Sequence, residues 1–457
     1  MENKRIQENK MGVMPVGRLL VNMSLPMMAS MLVMALYNVV DSMFVSRISE
    51  NALTALSMAF PIQNLMIAVS VGMGVGLNAV LSRALGAKDE KAVSCAAANG
   101  VFILLVCAAA FMLAGATLVR PFFAAQTDIA EIVENGVTYT TIVTVGSLGL
   151  FMQILFERLL QSTGKTTLTM ASQITGAVIN IILDPILIFG LLGMPRMGVA
   201  GAALATVISQ GVSCAWVLRF LTGKRVSLRL EKQILRLRGG LVKKILSLGT
   251  AGFIMQGTNC LVQVACNSTL SLFGGDLYVG VMTVLISVRS VLELPLSGLI
   301  SGAQPVLGFN YGAKKYDRVR QGIRFMTLFG TVYNVCAWVM VLLFPAFLMG
   351  IFSSDPQLIG AGPQAMHTYF FGFFFMSFQF AGQSVFQSLG YARQAIFFSL
   401  LRKAIIVVPL TLLLPRMGFG VMGVFLAEPI SNVIGGLACF TTMYFTVYRK
   451  LDAGKHL

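Results

Sequence analysis

Twelve membrane-spanning helices in two similar six-helix bundles are what this sequence predicts, an all-α integral membrane fold, and three observations predict it. Hydrophobic residues make up 56% of the 457 residues and charged residues only 11%, whereas a soluble domain carries about 25% charge. The basic residues alternate between successive loops. The two halves of the chain repeat short motifs in the same order.

The mean hydropathy of +0.80 makes lipid the solvent for much of the chain. A spanning helix needs about 20 mostly apolar residues. Such stretches run at 17–46, 53–82, 92–118, 129–159, 166–192, 198–221, 243–273, 277–309, 319–350, 360–389, 394–414 and 420–447. Tilt, kinks or extension beyond the bilayer absorb the excess length of the longer ones. Residues 1–18 are polar and basic, and the apolar run that follows is too long for a cleaved signal peptide, so none is expected.

The formal net charge is +16. In a soluble protein this would suggest a nucleic-acid partner. Here the charge sits in short loops between apolar runs, and the topological reading excludes one. Of the 34 Lys and Arg, 29 lie at the N-terminus, in loops after even-numbered spans counted with their helix ends, or at the C-terminus. Four (Arg47, Arg120, Arg196 and Arg416) follow odd-numbered spans, and Arg289 alone is read as lying mid-span. The positive-inside bias then puts both termini in the cytoplasm, as expected of an inner-membrane protein. The longest interior polar stretch, 222–242, is the natural linker between an N-lobe of spans 1–6 (1–221) and a C-lobe of spans 7–12 (243–457).

Seven scattered cysteines show no Cys-x-x-Cys and read as small buried hydrophobes. His367 and His456 are far apart, which argues against a histidine metal site.

The internal repeat joins Gly86-Ala87-Lys88 to Gly312-Ala313-Lys314, and Gln161-Ser162-x-Gly164 to Gln387-Ser388-x-Gly390, each 226 residues on. Pro195-Arg196-Met197-Gly198 matches Pro415-Arg416-Met417-Gly418. Six spans per half give both halves one orientation, related by an axis along the membrane normal, which is the outline of an alternating-access transporter.

Charge at the bilayer centre costs about 2.5–3.5 kcal/mol or more, so intramembrane acids are candidates for function. Four stand out: Asp41, Asp184, Glu293 and Glu428; Glu157 is nearer a helix end, beside Arg158. Asp41 shares a face of span 1 with Tyr37 and Asn38. Asp184 follows Asn180 by one turn and precedes Pro185, which frees a backbone carbonyl nearby. These hard oxygens suit a proton or a sodium ion. By the repeat, Asp41 falls on Asn267 and Asp184 on the stretch around Pro409, so the carboxylates of ion coupling belong to the N-terminal half. Glu293 follows Arg289 by one turn, an intrahelical ion pair or a cavity wall. Glu428 aligns with Thr206 and has no partner readable from sequence. Pro26 is a candidate hinge of span 1. Methionine and phenylalanine, 27 and 32 residues, supply material for an adaptable apolar cavity, though most must serve ordinary contacts.

Along nearly its whole length the chain resembles the multidrug and toxic compound extrusion (MATE) transporters. The resemblance rests on Leu25-Pro26-Met27-Met28, Leu85-Gly86-Ala87-Lys88, Gln161-x-x-Gly164, Asn180 through Pro185, and Gly198 through Thr206, of which the last two blocks are the most specific. It implies the twelve-helix MATE fold, within the superfamily that also contains oligosaccharidyl-lipid and polysaccharide flippases. Asp41 and Asp184 match the paired acids of the DinF-like branch, with Tyr37, Asn180 and Thr206 as their polar partners. That implies antiport of H⁺ or Na⁺, a possible Na⁺ site at Asp41, Asn180, Asp184 and Thr206, and a bend at Pro26 coupled to Asp41. The NorM-like branch carries acids in spans 7 and 10, where this chain has Gln256, Asn259, Gln263, Gln379 and Gln383, a departure that weighs against a C-lobe sodium site.

The expected function is therefore export of drug-like small molecules by a monomer in the bilayer, without a cofactor. Asn38, Arg289, Glu293 and Glu428 are candidate substrate contacts. The rival is a flippase for a lipid-linked precursor, which a strongly basic cavity would favour. A membrane hydrolase or glycosyl transferase would need a metal or nucleophile constellation that the sequence does not offer.

Overall fold

The computed structural model describes residues 9–221 and 238–452, and every regular element among them is helical. Most of the expected basic linker, 222–237, and His456 lie outside the described residues.

Short α1 (Lys10–Val13) precedes α2 (Val16–Ser46), which runs through Pro26. α3 (Glu50–Gly86) and α4 (Glu90–Thr117) each start at a capping side chain: Ser49 Oγ accepts from Ala52 N–H at 3.0 Å, and Asp89 Oδ1 from Ala92 N–H at 2.9 Å. Each bond satisfies one of the donors that a first turn leaves free. After α5 (Val119–Ala124), α6 (Ala130–Val145) and α7 (Leu148–Ser162) form one span bent by 44°. α8 (Thr166–Phe189) and α9 (Val199–Leu221) complete the first half.

α10 (Gly239–Gly312) has 74 residues. At about 1.5 Å per residue that is about 110 Å, against a hydrocarbon core about 30 Å thick. Gly275 (φ 65°, ψ −169°) divides it where the sequence predicts the boundary of spans 7 and 8, in a backbone conformation that only glycine adopts readily. Then follow α11 (Tyr316–Leu343), α12 (Pro345–Phe352), α13 (Pro356–Tyr369), α14 (Met376–Leu389) and α15 (Ala392–Leu400). A π-helical segment, Leu401–Val407, runs into α16 (Val408–Leu413), and α17 (Gly420–Met443) and α18 (Arg449–Asp452) end the described chain.

Among the described residues nine helices are long and apolar enough to cross a membrane, ten with α6 and α7 as one bent span. α10 is long enough for the two expected spans on either side of Gly275, and α13 and α14, separated around Gly372, coincide with the expected span 360–389.

The repeat is also written in the backbone. Lys88 (φ 56°) and Lys314 (φ 58°) are left-handed, and so are Gly164 (φ 85°) and Gly390 (φ 91°). The motifs recur because the same turn ends the corresponding helix in each half.

Contacts divide the chain into two compact units. Among the described residues, one lies within Leu25–Thr250 and the other joins Lys10–Ser24 to those from Ala251 onward. One dividing point falls inside α2, next to Pro26. Within the first unit α8 packs on α9, α9 on α6 and α7, and α3 on α4, α6 and α7. Gly201 makes the α8–α9 contact close: a Cβ there would stand 2.5 Å from the Leu187 carbonyl oxygen. Within the second unit α14, α13 and the π-helical segment pack on α17.

Candidate functional site

Two polar clusters stand out, one in each unit. In the first unit, Asp184 is fully buried on α8, and its carboxyl and that of Asp41 on α2 face each other within hydrogen-bonding reach. The close α8–α9 contact sets Thr206 against Asn180. With its nitrogen turned to the acid, the Asn180 amide donates to Asp184 Oδ2 at 2.9 Å and accepts from the Thr206 N–H at 3.2 Å. The Tyr37 hydroxyl meets Thr206. Oδ1 of Asp41 and Oδ1 of Asp184 are buried without a hydrogen-bond partner, and among the described residues no Lys or Arg pairs with either acid. Two carboxylates in contact repel unless a proton or cation lies between them. The structure thus brings together Asp41, Asp184, Asn180, Tyr37 and Thr206. Asn38, beside Tyr37, is exposed. Pro26 lies about four turns before Asp41 on α2, its carbonyl oxygen accepting from Ser30 Oγ at 2.9 Å.

The sequence reading missed Tyr139 and Gln63. Gln63 Nε2 on α3 donates to the Tyr139 hydroxyl on α6 at 2.8 Å, and the buried Tyr139 stands in the field of Asp41 and Tyr37. Their polarity inside apolar spans was the available signal. Glu157 behaves differently from the acid pair. Buried on α7, it accepts from Gln153 at 3.0 Å, Ser172 at 3.2 Å and Gln173 at 2.8 Å, so donors surround it.

The second unit holds a cavity of about 290 Å³. Arg289 Nε binds Glu293 at 2.5 Å, as the one-turn spacing predicts. Two expectations are corrected here. Glu428, read as partnerless, forms ion pairs with Arg289 Nη1 and with Lys403 Nζ, the latter at 2.8 Å, with Arg402 Nη1 at 3.9 Å. Arg289, read as the single mid-span base, is joined by Arg402 and Lys403, which the positive-inside pattern assigns to the helix end after span 10. The π-helical segment instead carries them into the second unit, where Lys403 is buried and Arg402 Nη1 donates to Asn432 at 2.9 Å. Arg289 also donates to the Tyr369 hydroxyl at 3.0 Å. Gln256, Asn259, Gln263, Gln379 and Gln383 line the same cavity.

The chain belongs to the MatE family: the family model matches residues 26–186 and again 253–413, one copy in each half. It is a multi-span membrane transporter with the MATE fold, not an enzyme. Among its relatives, a protein of Shewanella oneidensis named "FAD transporter" is 26% identical, covering 93% of this chain and 94% of that one. A "Probable multidrug resistance protein NorM" of Thermotoga maritima is 27% identical, covering 74% and 73%. A solved structure described as the outward-facing conformation of a multidrug resistance MATE family transporter superposes with a TM-score of 0.90 at 21% identity, covering 98% of each chain.

Proposed function

We propose that this protein is a secondary antiporter of the DinF-like kind, exporting small organic compounds in exchange for a cation taken by Asp41 and Asp184. The supporting observation is the pairing of part-buried Asp41 with buried Asp184, whose facing carboxyls have no Lys or Arg paired to them among the described residues. A group built this way needs a positive charge from outside itself, and a bound ion shifts a conformational equilibrium only through unequal affinity for its two states. Bringing in one charge gains about 2.3 kcal/mol per 100 mV. Ideally coupled, that supports roughly fiftyfold accumulation at about 1.4 kcal/mol per tenfold.

The proton is the favoured ion in the Asn180 orientation that gives both ends of its amide a partner, with the N–H toward Asp184; the opposite orientation, with the carbonyl beside the unpartnered carboxylate oxygens and the nitrogen on Thr206 Oγ1 at 3.4 Å, would suit sodium. Pro26 serves as the hinge on α2 in this reading. The protein works as a monomer with both termini in the cytoplasm of an inner-membrane topology. The names of the relatives, a FAD transporter and a probable multidrug resistance protein, support small organic substrates. The second reading, a flippase for a lipid-linked precursor, gains support from the basic groups of the second unit, because such a lipid carries an anionic headgroup.

Efflux from proteoliposomes under separately imposed pH and Na⁺ gradients tests the proposal. The pH gradient alone is expected to drive export, and Asp41→Asn to reduce gradient-driven export by about 100-fold or more, as loss of an essential proton-transfer group does. Undiminished export by a folded Asp41→Asn protein would overturn the assignment.

A further inference from the structure

We propose that the cavity of the second unit is a binding site for an organic anion, one whose phosphate or similar oxyanion is held at Lys403, Arg402 and Arg289 and whose uncharged part offers N–H or O–H donors to Gln379 and Gln383. The inference deepens the export reading and rests on it for the fate of the ligand, though not for binding.

Charge balance is the first observation. Three cations, Arg289, Arg402 and Lys403, face two acids, Glu428 and Glu293, so one positive charge is in excess. The excess is larger in effect, because Glu293 leans outward with 27% of its side chain exposed while Glu428 is buried. All three cations converge on one carboxylate oxygen, Glu428 Oε1. That oxygen marks where negative charge is best stabilised. Of the three N–H donors that an ammonium carries, Lys403 spends one on Glu428 at 2.8 Å. Buried ion-pair networks that serve only structure are usually balanced, since an unpaired buried charge is costly.

The second observation is independent of charge. Gln379 and Gln383 line the same cavity, are 6% and 3% exposed, and leave their side-chain carbonyl oxygens without a hydrogen-bond partner among the described residues. The Gln383 nitrogen is committed to the Ala395 carbonyl and Ser399 Oγ, both at 2.8 Å, which fixes its oxygen as an acceptor. Buried acceptors need donors. Met255, Met282 and Val407 add an apolar wall suited to a ring system. Together these features match a mono-organic phosphate bearing a hydrogen-bonding ring, and they disfavour the bulky cation expected of a multidrug exporter.

The scaffold holds the charges in place. The Val408 N–H bonds to the Lys403 carbonyl five residues back, the π-helical pattern, and such bulges are frequent at functional sites. Ser431 Oγ donates to the Arg402 carbonyl at 2.7 Å, and Gly435 leaves the space that the Arg402 side chain crosses, a Cβ there standing 3.1 Å from it.

The test uses the full-length protein in nanodiscs of zwitterionic phosphatidylcholine, without a gradient, and three fluorescent probes: flavin mononucleotide, riboflavin (the same ring without phosphate) and ethidium (a cation). Flavin mononucleotide is expected to bind at least tenfold tighter than riboflavin and tighter than ethidium. Lys403→Gln should weaken flavin mononucleotide tenfold or more and leave riboflavin unchanged, and Lys403→Arg should restore it. Glu428→Gln, which removes the internal competitor, should tighten it severalfold, the reverse of what loss of a merely structural group gives. Equal affinity for the two flavins, a preference for ethidium, or indifference to both Lys403→Gln and Glu428→Gln in folded protein overturns the proposal. Repeating the titration with phosphatidic acid in the nanodisc separates the sources: competition assigns the site to a lipid phosphate, persistence of binding to a soluble one. If Asp41→Asn still exports, the antiport reading fails while the binding result stands; if it loses export and keeps flavin mononucleotide binding, both hold.

Discussion

The two halves of this transporter share a fold and a set of turns, yet their polar interiors carry opposite charge. The first half concentrates two acids, Asp41 and Asp184, with no base paired to them among the described residues; the second concentrates three bases around Glu428. The repeat shows how small the change is. At the 226-residue offset, Gln63 corresponds to Arg289, and each donates to a tyrosine hydroxyl, Tyr139 at 2.8 Å and Tyr369 at 3.0 Å. Gly176 and Ala177 stand where the second half has Arg402 and Lys403. On two equivalent frames, a few sequence differences leave one interior acidic and the other basic. Both interiors also place an acid directly before a proline, Asp184-Pro185 and Glu428-Pro429, so the charged residue sits where the helix already lacks a backbone bond.

If that contrast is right, the two interiors respond unequally to loss of an acid. Glu428→Leu removes the carboxylate shared by Arg289, Arg402 and Lys403, leaving buried Lys403 without its ion-pair partner, and is expected to cost about 3–5 kcal/mol, read by thermal and denaturant unfolding in detergent. Asp184→Asn removes one of two repelling groups and should cost about 1 kcal/mol or less, the size of a single hydrogen-bond change. A larger loss from Asp184→Asn than from Glu428→Leu would break the comparison. Next in size is Pro26→Ala, which returns a backbone hydrogen bond to α2 at the point dividing the two units. Transport is expected to fall about tenfold, with kcat and KM changing together as hinge substitutions do, while flavin mononucleotide binding in the second unit stays as it was. The smallest effect concerns what the halves share. Lys88→Gly and Lys314→Gly each relieve a left-handed backbone strain of about 1–2 kcal/mol, partly offset by the freedom glycine gains when unfolded. A net gain of about 0.5 kcal/mol in each, equal in both halves, is expected; unequal gains would show that the turns are not equivalent.

The fold was largely legible from the sequence because lipid imposes a coarse code. Length, hydropathy and turn motifs located the spans, and even the break at Gly275 fell at the predicted boundary. The acid pair was legible for the same reason: Asp41 and Asp184 sit deep in apolar runs, where charge is rare. Arg402 and Lys403 were not legible, because a base eight or nine residues into a span resembles a loop charge when helix ends are uncertain by several residues. Only the π-helical winding and the carboxylate of Glu428, 25 residues further along, reveal where they go. Tyr139 and Gln63 are ordinary polar residues until α3 and α6 are seen side by side.

The segment Leu401–Val407 has a consequence for how such a protein diverges. A helix wound with more residues per turn than its neighbours can shed one and revert to regular α geometry without unfolding. Deleting one residue there would remove the bulge and leave the helix on either side in register, so that within the span only the residues of the segment, Arg402 and Lys403 among them, would be re-aimed relative to Glu428. Chain length at this spot therefore decides which side chains meet that carboxylate, while the rest of the span stays as it is.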